Sequence, residues 1–242
     1  MSKILITGSS TGVGALAAQA LIKQGHEVVL HARNEERKKA IMVENPGATQ
    51  VIVGNLSNLE ETKNLARQAN KVGPFDVVIH NAGVFSSDEE TIEHVNLWAP
   101  YVLTALIEKP KRLVYISSNL HQGAQVNIDD LGKGVNYSVS KKLLLMLMKY
   151  VARQWPGVIV NGIHPGWVPT KIGGSKAPDS IDDAYKTYIK LAVSNDPEVL
   201  ESGYYYFQSK RIPYDPEIDN QTEQEALIAK LAELTKVNLS KL

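Results

Sequence analysis

Seven short apolar runs rich in β-branched residues punctuate this chain, and longer stretches with helical spacing separate them. The runs are Lys3–Thr7, Glu27–Leu30, Gln50–Val53, Asp76–His80, Arg112–Ser117, Val158–Ile163 and Tyr204–Phe207. Being apolar at successive positions, they read as strands covered on both faces. Between them, Ala15–Gln24, Asn34–Glu44, Asn58–Lys71, Asp88–Ile107, Tyr137–Gln154, Asp182–Ser194 and Thr222–Leu234 read as helices. Gly25, Gly73-Pro74, Lys109-Pro110 and Pro156-Gly157 mark the joins. Strand and helix alternate six times. That pattern predicts an α/β fold with a doubly wound parallel sheet, right-handed crossovers and helices on both faces. The 242 residues suit one such domain, and no repeat or linker divides them. "KIGGSKAPDSI", residues 171–181, reads as a mobile loop.

Composition narrows the partners. Lysine plus arginine number 26, aspartate plus glutamate also 26, so the formal net charge is zero. That balance gives no reason to expect nucleic acid or an anionic membrane. Without cysteine, disulfides and thiolate metal sites are excluded. The six histidines fall at no metal-ligand spacing, so no metal is expected. No apolar stretch is long enough to span a bilayer, and the N-terminal apolar run is too short for a signal peptide. The expected location is cytoplasmic.

"TGSSTGVG", residues 7–14, joins the first strand to the first helix. In a doubly wound sheet, ligands lie at the carboxyl ends of the strands. A helix N-terminus there offers unpaired N–H groups and positive potential to a pyrophosphate. Gly8, Gly12 and Gly14 let the backbone approach such a ligand, and Ser9, Ser10 and Thr11 add hydroxyl donors. A ligand-free strand–helix turn would have the same composition. No Gly-Lys-Ser/Thr follows, so this is not the lysine-bearing phosphate loop.

Further motifs follow in order. They are Asn81-Ala82-Gly83, Asn96 within "HVNLWAPYVLT", Ser118 within "VYISSN", Tyr137 and Lys141 within "YSVSK", and "HPGWVPT" from His164 to Thr170. With Thr7-Gly8-x-x-x-Gly12-x-Gly14, the set resembles the short-chain dehydrogenase/reductase family and spans residues 4–170. The resemblance implies a single Rossmann-fold domain over residues 1–242, with a substrate loop at about 171–195. It implies a nicotinamide cofactor held by residues Gly8 to Gly14, Val13 included, and by Asn55, Leu56, Asn81, Ala82, Gly83, Tyr137, Lys141, Pro165, Gly166, Val168 and Thr170. It also implies catalytic roles for Ser118, Tyr137, Lys141 and Asn96.

The chemistry of those side chains fits. Tyr137 and Lys141 are four apart and share a helix face. A phenol titrates near pH 10, and a neighbouring ammonium favours the phenolate. A tyrosine so tuned can exchange a proton with an alcohol or developing alkoxide. Ser118 ends the fifth strand and can hydrogen-bond the substrate oxygen, with Ser117 as the competitor. By resemblance, Lys141 also binds ribose hydroxyls, and Asn96 holds a water in the proton path.

Two departures stand out. Eighteen residues separate Ser118 from Tyr137, more than in the commonest family members and closer to retinol-dehydrogenase-like ones. Asn55 stands where the family usually has aspartate against adenine. Its amide oxygen can still accept a hydrogen bond. His121, in the lengthened loop, and His164 read as packing or hydrogen-bonding residues rather than acids or bases.

For the cofactor, an acidic side chain at the end of the second strand would favour NAD(H), whereas a cation takes the 2′-phosphate of NADP(H). This strand ends "VVLHARNEER": Ala32 carries no acid and Arg33 follows it, with Arg37 in reach. NADP(H) is therefore expected. The substrate walls should be residues 84–88, 119–136 and 171–195, where Val84, Phe85, Leu120, Trp167, Tyr185 and Tyr188 suggest a small, partly apolar carbonyl or alcohol. The helix from Tyr137 is apolar nearly all round. It needs cover from a second copy, making a homo-oligomer, or from the last third of the chain. Two rivals remain for this fold: a dinucleotide-sensing scaffold without turnover, and a sugar-nucleotide epimerase or dehydratase.

Overall fold

The seven apolar runs form strands β1 (Lys3–Ile6), β2 (Glu27–Ala32), β3 (Gln50–Val53), β4 (Val77–His80), β5 (Arg112–Ile116), β6 (Ile159–Ile163) and β7 (Tyr205–Phe207) in the computed structural model, which describes residues 1–239. They make one parallel sheet in the order β3-β2-β1-β4-β5-β6-β7. An eighth, two-residue strand, β8 (Lys210–Arg211), lies antiparallel on the β7 edge. It is too short to carry a sequence period. The order reverses direction beside β1, between β1 and β4, which opens a crevice at the carboxyl end of the sheet.

The helices are α1 (Gly12–Lys23), α2 (Glu35–Glu44), α3 (Leu59–Val72), α4 (Glu89–Glu93), α5 (Ala99–Leu106), α6 (Tyr137–Gln154), α7 (Ile181–Val193) and α8 (Gln221–Thr235). Their starts follow from short polar side chains. Asn34, Asn58, Asn136, Ser180 and Asn220 each accept a backbone N–H of the first turn. The run expected as one helix over Asp88–Ile107 is α4 and α5 joined by a π-turn over His94–Trp98. The π-turn carries Asn96.

Alternate strand residues face opposite layers. Ile4, Ile6, Ile79 and Val114 pack against α1 and α7, and α2 adds Ile41 on that side. Leu5 and Val78 face α3 and α5, while Leu113 and Val160 on the same side face α6. All eight of these strand residues are essentially inaccessible. Each such aliphatic side chain contributes about 1.5–3 kcal/mol on burial.

The unusual apolar content of α6 is covered by the chain itself. Leu143 to Met148 are all buried. Ile218, Leu227, Ile228, Leu231, Val237 and Leu239 of the C-terminal segment share their cluster. The apolar excess that suggested a homo-oligomer is therefore accounted for within one chain, and that argument for assembly falls.

One charged group sits inside this interface. Lys142 is 1% exposed. Its Nζ reaches Asp215 Oδ2 at 2.8 Å, Glu217 Oε2 at 2.5 Å and the Ala124 carbonyl at 2.8 Å. Burial pulls the ammonium down, but the two carboxylates outweigh it and raise its pKa. This knot ties α6 to the C-terminal segment and to the lengthened loop. Removing the cation strands Asp215 beside an apolar interface. Lys142→Ala should lower unfolding free energy by about 3 kcal/mol, read as a lower urea midpoint at unchanged m-value; a loss within measurement error would mean the knot contributes nothing.

Candidate active site

The carboxyl ends of β1 and β4 are sewn together before any ligand is considered. Thr7 Oγ1 accepts the Asn81 and Ala82 N–H groups at 3.1 Å each. Asn81 Nδ2 donates to the carbonyls of Thr7 (2.9 Å) and Gly8 (3.0 Å). Tyr188, buried on α7, donates its hydroxyl to Asn81 Oδ1 at 3.1 Å. Gly8 has φ +63°, and a Cβ there would sit 2.7 Å from Ala82 Cα. A Cβ on Gly14 would run into the Asn81 amide. Here glycine is required by contact as well as by conformation.

His31, on β2, braces the same loop and was not expected from the sequence. Its Nδ1 accepts the Gly8 N–H at 3.0 Å, and its Nε2 donates to the Gly54 carbonyl at 2.8 Å. Burial lowers its pKa, which keeps it neutral and able to accept. The signal was available, since "LHAR" places a polar ring in an apolar strand, but pattern reading gave the ring no partner.

Around this frame lies a cleft of about 1150 Å³. It is lined by Gly8, Ser10, Thr11, Gly12, Val13 and Gly14 at one end, with Arg33, Arg37, Asn55 and Leu56 beyond them. Asn81, Ala82, Gly83, Ser118, Tyr137, Lys141, Pro165, Gly166, Val168 and Thr170 complete it. Two expected residues are not on this surface. Ser9 is fully buried, and its hydroxyl accepts the His31 backbone N–H at 3.0 Å. Asn96 is fully buried as well. Its Oδ1 accepts Val84 N–H at 2.8 Å, and its Nδ2 donates to Val84 O and Ser140 Oγ. These bonds make the side chain a brace behind the cleft.

Ser117 and Ser118 separate cleanly. The Ser117 hydroxyl is buried and donates to the Lys141 carbonyl at 2.8 Å. Ser118 is half-buried on the cleft, beside the Tyr137 phenol. Burial pushes that phenol above its ordinary pKa, and the Ser118 contact opposes the rise. Lys141 Nζ donates to the Ile116 carbonyl at 2.9 Å and lies 5.5 Å from the Tyr137 ring centre. Burial pulls the Lys141 ammonium down to about 8. In the ligand-free cleft, burial is the largest influence on both groups. A Cβ on Gly83 would meet Lys141 Nζ at 3.3 Å and Asn96 Oδ1 at 3.4 Å, so this glycine leaves room for the amine.

The histidines of the neighbouring loops are structural. His121 Nδ1 donates to the Ser118 carbonyl at 2.7 Å, and its Nε2 accepts Asp215 N–H at 3.2 Å. His164 Nδ1 faces the N–H groups of Asn119 and Gly166, both at 3.3 Å. Burial pulls His164 down to about 4, leaving it neutral. Asn55 also differs from expectation. Its Oδ1 accepts from Ser57 N at 3.2 Å and from Ser57 Oγ at 3.0 Å, a local turn contact that the sequence did not show. Arg37 Nη2 donates to the Ser10 carbonyl at 2.6 Å, pinning that guanidinium over the glycine loop. The expected substrate segment 171–195 is loop only up to Ser180. The rest is α7, whose Tyr185 packs against the core away from the cleft and whose Tyr188 holds Asn81.

The sequence model described as short chain dehydrogenase matches residues 2–180. The chain belongs to the short-chain dehydrogenase family. It is an oxidoreductase of that family. It is 41% identical to an uncharacterized oxidoreductase of Emericella nidulans and 37% identical to a short-chain dehydrogenase of Penicillium rubens, each comparison covering 99% of both chains. Among solved structures, an NADPH-bound carbonyl reductase from chicken fatty liver superimposes with a TM-score of 0.72. That pair is 18% identical and covers 88% of this chain and 99% of the other. At that identity the likeness speaks for the fold. Among the described residues, no helix is long and apolar enough to cross a membrane, and no group of three or more metal-ligating side chains is found.

Lys141 gives this short-chain dehydrogenase a measurable electrostatic signature. Its folded pKa lies near 8 and its reference value is 10.5. Between those values the unfolded chain binds the proton and the folded one does not, so stability rises with pH. Measured against Lys141→Met, which cannot titrate, wild-type stability should gain about 3 kcal/mol from pH 8 to 10.5. A flat difference would mean that Lys141 is not desolvated.

Proposed function

We propose that this protein is an NADP(H)-dependent reductase or dehydrogenase that moves a hydride between nicotinamide and the carbonyl or alcohol carbon of a small, partly apolar substrate. The observation that carries the reading is the convergence of Ser118, Tyr137 and Lys141 on one wall of the cleft that begins at the glycine loop. The cleft fits a dinucleotide. Gly8 and Gly12 both have φ +63° and present bare backbone beneath the N-terminus of α1, where a diphosphate gains from unpaired N–H groups. Pro165, Gly166, Val168 and Thr170 would border the nicotinamide end.

When bound, the nicotinamide supplies or accepts the hydride. The protein's own part is to hold the oxygen and its proton. The Ser118 hydroxyl donates to the substrate oxygen, aided by the His121 bond that fixes its backbone. The Tyr137 phenol, whose pKa burial raises, gives its proton to that oxygen in reduction and takes it back in oxidation. Lys141, next to the phenol ring, stabilises the phenolate left behind and meets the ribose hydroxyls. Asn96 serves by bracing Val84 and Ser140 on either side of these groups.

The preference for NADP(H) over NAD(H) rests on charge. Arg33 is exposed at the end of β2, on the cleft, and Arg37 is anchored to the glycine loop. Ala32 offers no carboxylate to a ribose 2′-hydroxyl. Glu36 stands on the same wall and Glu44 lies 3.8 Å from the Arg37 guanidinium, so the preference rests chiefly on Arg33. A guanidinium matches a 2′-phosphate in geometry and charge.

Tyr137→Phe should reduce ketone turnover by about 10²–10⁴-fold while NADPH still binds by fluorescence titration; turnover at the wild-type rate would remove Tyr137 from the reaction. Arg33→Asp should lower the NADPH-to-NADH ratio of kcat/KM by about tenfold or more, a loss of at least one charge-assisted hydrogen bond. An unchanged ratio would move phosphate recognition away from Arg33.

A further inference from the structure

A second cavity, of about 490 Å³, adjoins the cleft and shares two of its lining residues, Phe85 and Tyr137. Phe85 stands edge-on to the Tyr137 ring, with centroids 5.1 Å apart and planes at 70°. The pair stands where the two chambers meet and lines both. Phe85 is 62% exposed. The far chamber lies between the start of α4, the start of α6 and the lengthened loop at Ala124 and Gln125. The extra residues between Ser118 and Tyr137 thus supply one of its walls.

The chemistry of this chamber is specific. Ile92 and Val139 give it an apolar floor. Ser87 and Ser138 bring hydroxyls that are not used in the capping contacts made nearby by Ser86 and Asn136. Among the described residues, its only charged lining residue is Glu89. An anionic group there would meet a carboxylate without compensation. At the mouth of the main cleft, Leu120, Trp167 and Ile172 are each about half exposed although large and apolar. The Trp167 ring is held by its Nε1 bond to the Gly173 carbonyl at 2.7 Å. Exposed apolar side chains gathered around a concave site mark what the site binds.

We propose that the substrate is an extended, uncharged ketone or alcohol, with its reacting carbon beside Ser118 and Tyr137, an apolar or aromatic body across the Phe85 ring, and a neutral hydrogen-bonding end in the second cavity. The subsite selects length and rejects carboxylate or phosphate tails. Only the identity of the reacting group rests on the reductase reading above.

The test uses the full chain and three ketones: an aryl methyl ketone, the same ketone carrying an arm that ends in a primary amide, and the same arm ending in a carboxylate. Binding is measured by calorimetry on the enzyme saturated with NADP⁺, where reduction cannot proceed, and turnover separately with NADPH. The amide-armed ketone should bind about tenfold or more tighter than both the short ketone and the carboxylate. Ser87→Trp, which fills the cavity from an exposed position, should bring the amide-to-short ratio to within about threefold of unity. Gln125→Trp, from the opposite wall, is the second variant should the first fail to fold. Equal affinity for short and amide-armed ketones, no binding of any, or a ratio untouched by both tryptophans would overturn the subsite. Discrimination in binding with no NADPH oxidation would leave the subsite standing and sink the reductase reading. Turnover of all three without discrimination would do the reverse.

Discussion

The junction between the carboxyl ends of β1 and β4 is the constraint from which the rest of the site follows. Two neighbouring parallel strands whose connections leave in opposite directions leave a gap between their following loops. In this protein Thr7 and Asn81 close the base of that gap with four hydrogen bonds. What remains open is lined by main chain and small residues. Gly8 and Gly14 cannot carry a Cβ without striking Ala82 or Asn81, so the contact that fixes the strands is also the contact that bares the backbone. A polar surface of that kind, at a helix N-terminus, is fitted to a diphosphate by geometry before any side chain is recruited.

The same economy governs the catalytic wall. Ser118 lies in an irregular segment after β5, where a loop of eighteen residues would be expected to wander. It does not, because the loop is pinned at separate points by groups the chemistry does not use. Glu93, buried on α4, accepts the N–H groups of Gly132 and Gly134 at 2.8 and 2.9 Å and the Trp98 indole N–H at 2.9 Å. His121 links the Ser118 carbonyl to Asp215, and Asp215 accepts from Lys142, one residue after Lys141. The C-terminal segment thereby reaches Ser118 and α6 through hydrogen bonds, although none of its described residues lines the cleft.

Much of this was legible in the sequence, and the failures are instructive. The strands were readable because burial on both faces demands continuous apolar runs, and the glycine loop because it falls between a strand and a helix in company with the later motifs. The burial of Ser9 and Asn96 was not readable. Both occupy the right place in a motif, but motif position does not say which way a side chain points. Ser9 turns inward to the His31 backbone, and Asn96 sits in a π-turn that rotates it behind the cleft. His31 was missed for the complementary reason: its partners, Gly8 and Gly54, are remote in sequence and contribute only backbone. The cover over α6 could not be read either. An apolar face says that something must bury it, and only tertiary structure tells whether that is a second copy or the same chain.

The pair Tyr137 and Lys141 shows how burial sets the terms of the reaction. Desolvation disfavours charge on both groups, raising the phenol and lowering the amine. Without a ligand the resting state is therefore a protonated phenol beside an amine that gives up its proton easily. Such a site has little tendency to ionise Tyr137 on its own. In the proposed reaction it would acquire that tendency when positive charge enters the cleft or when a substrate oxygen arrives to take the proton. The low polarity that raises the resting phenol also strengthens every charge–dipole contact made once the cleft is filled. The Phe85 ring, edge-on to Tyr137, adds apolar surface beside the phenol and so acts in the same direction as burial.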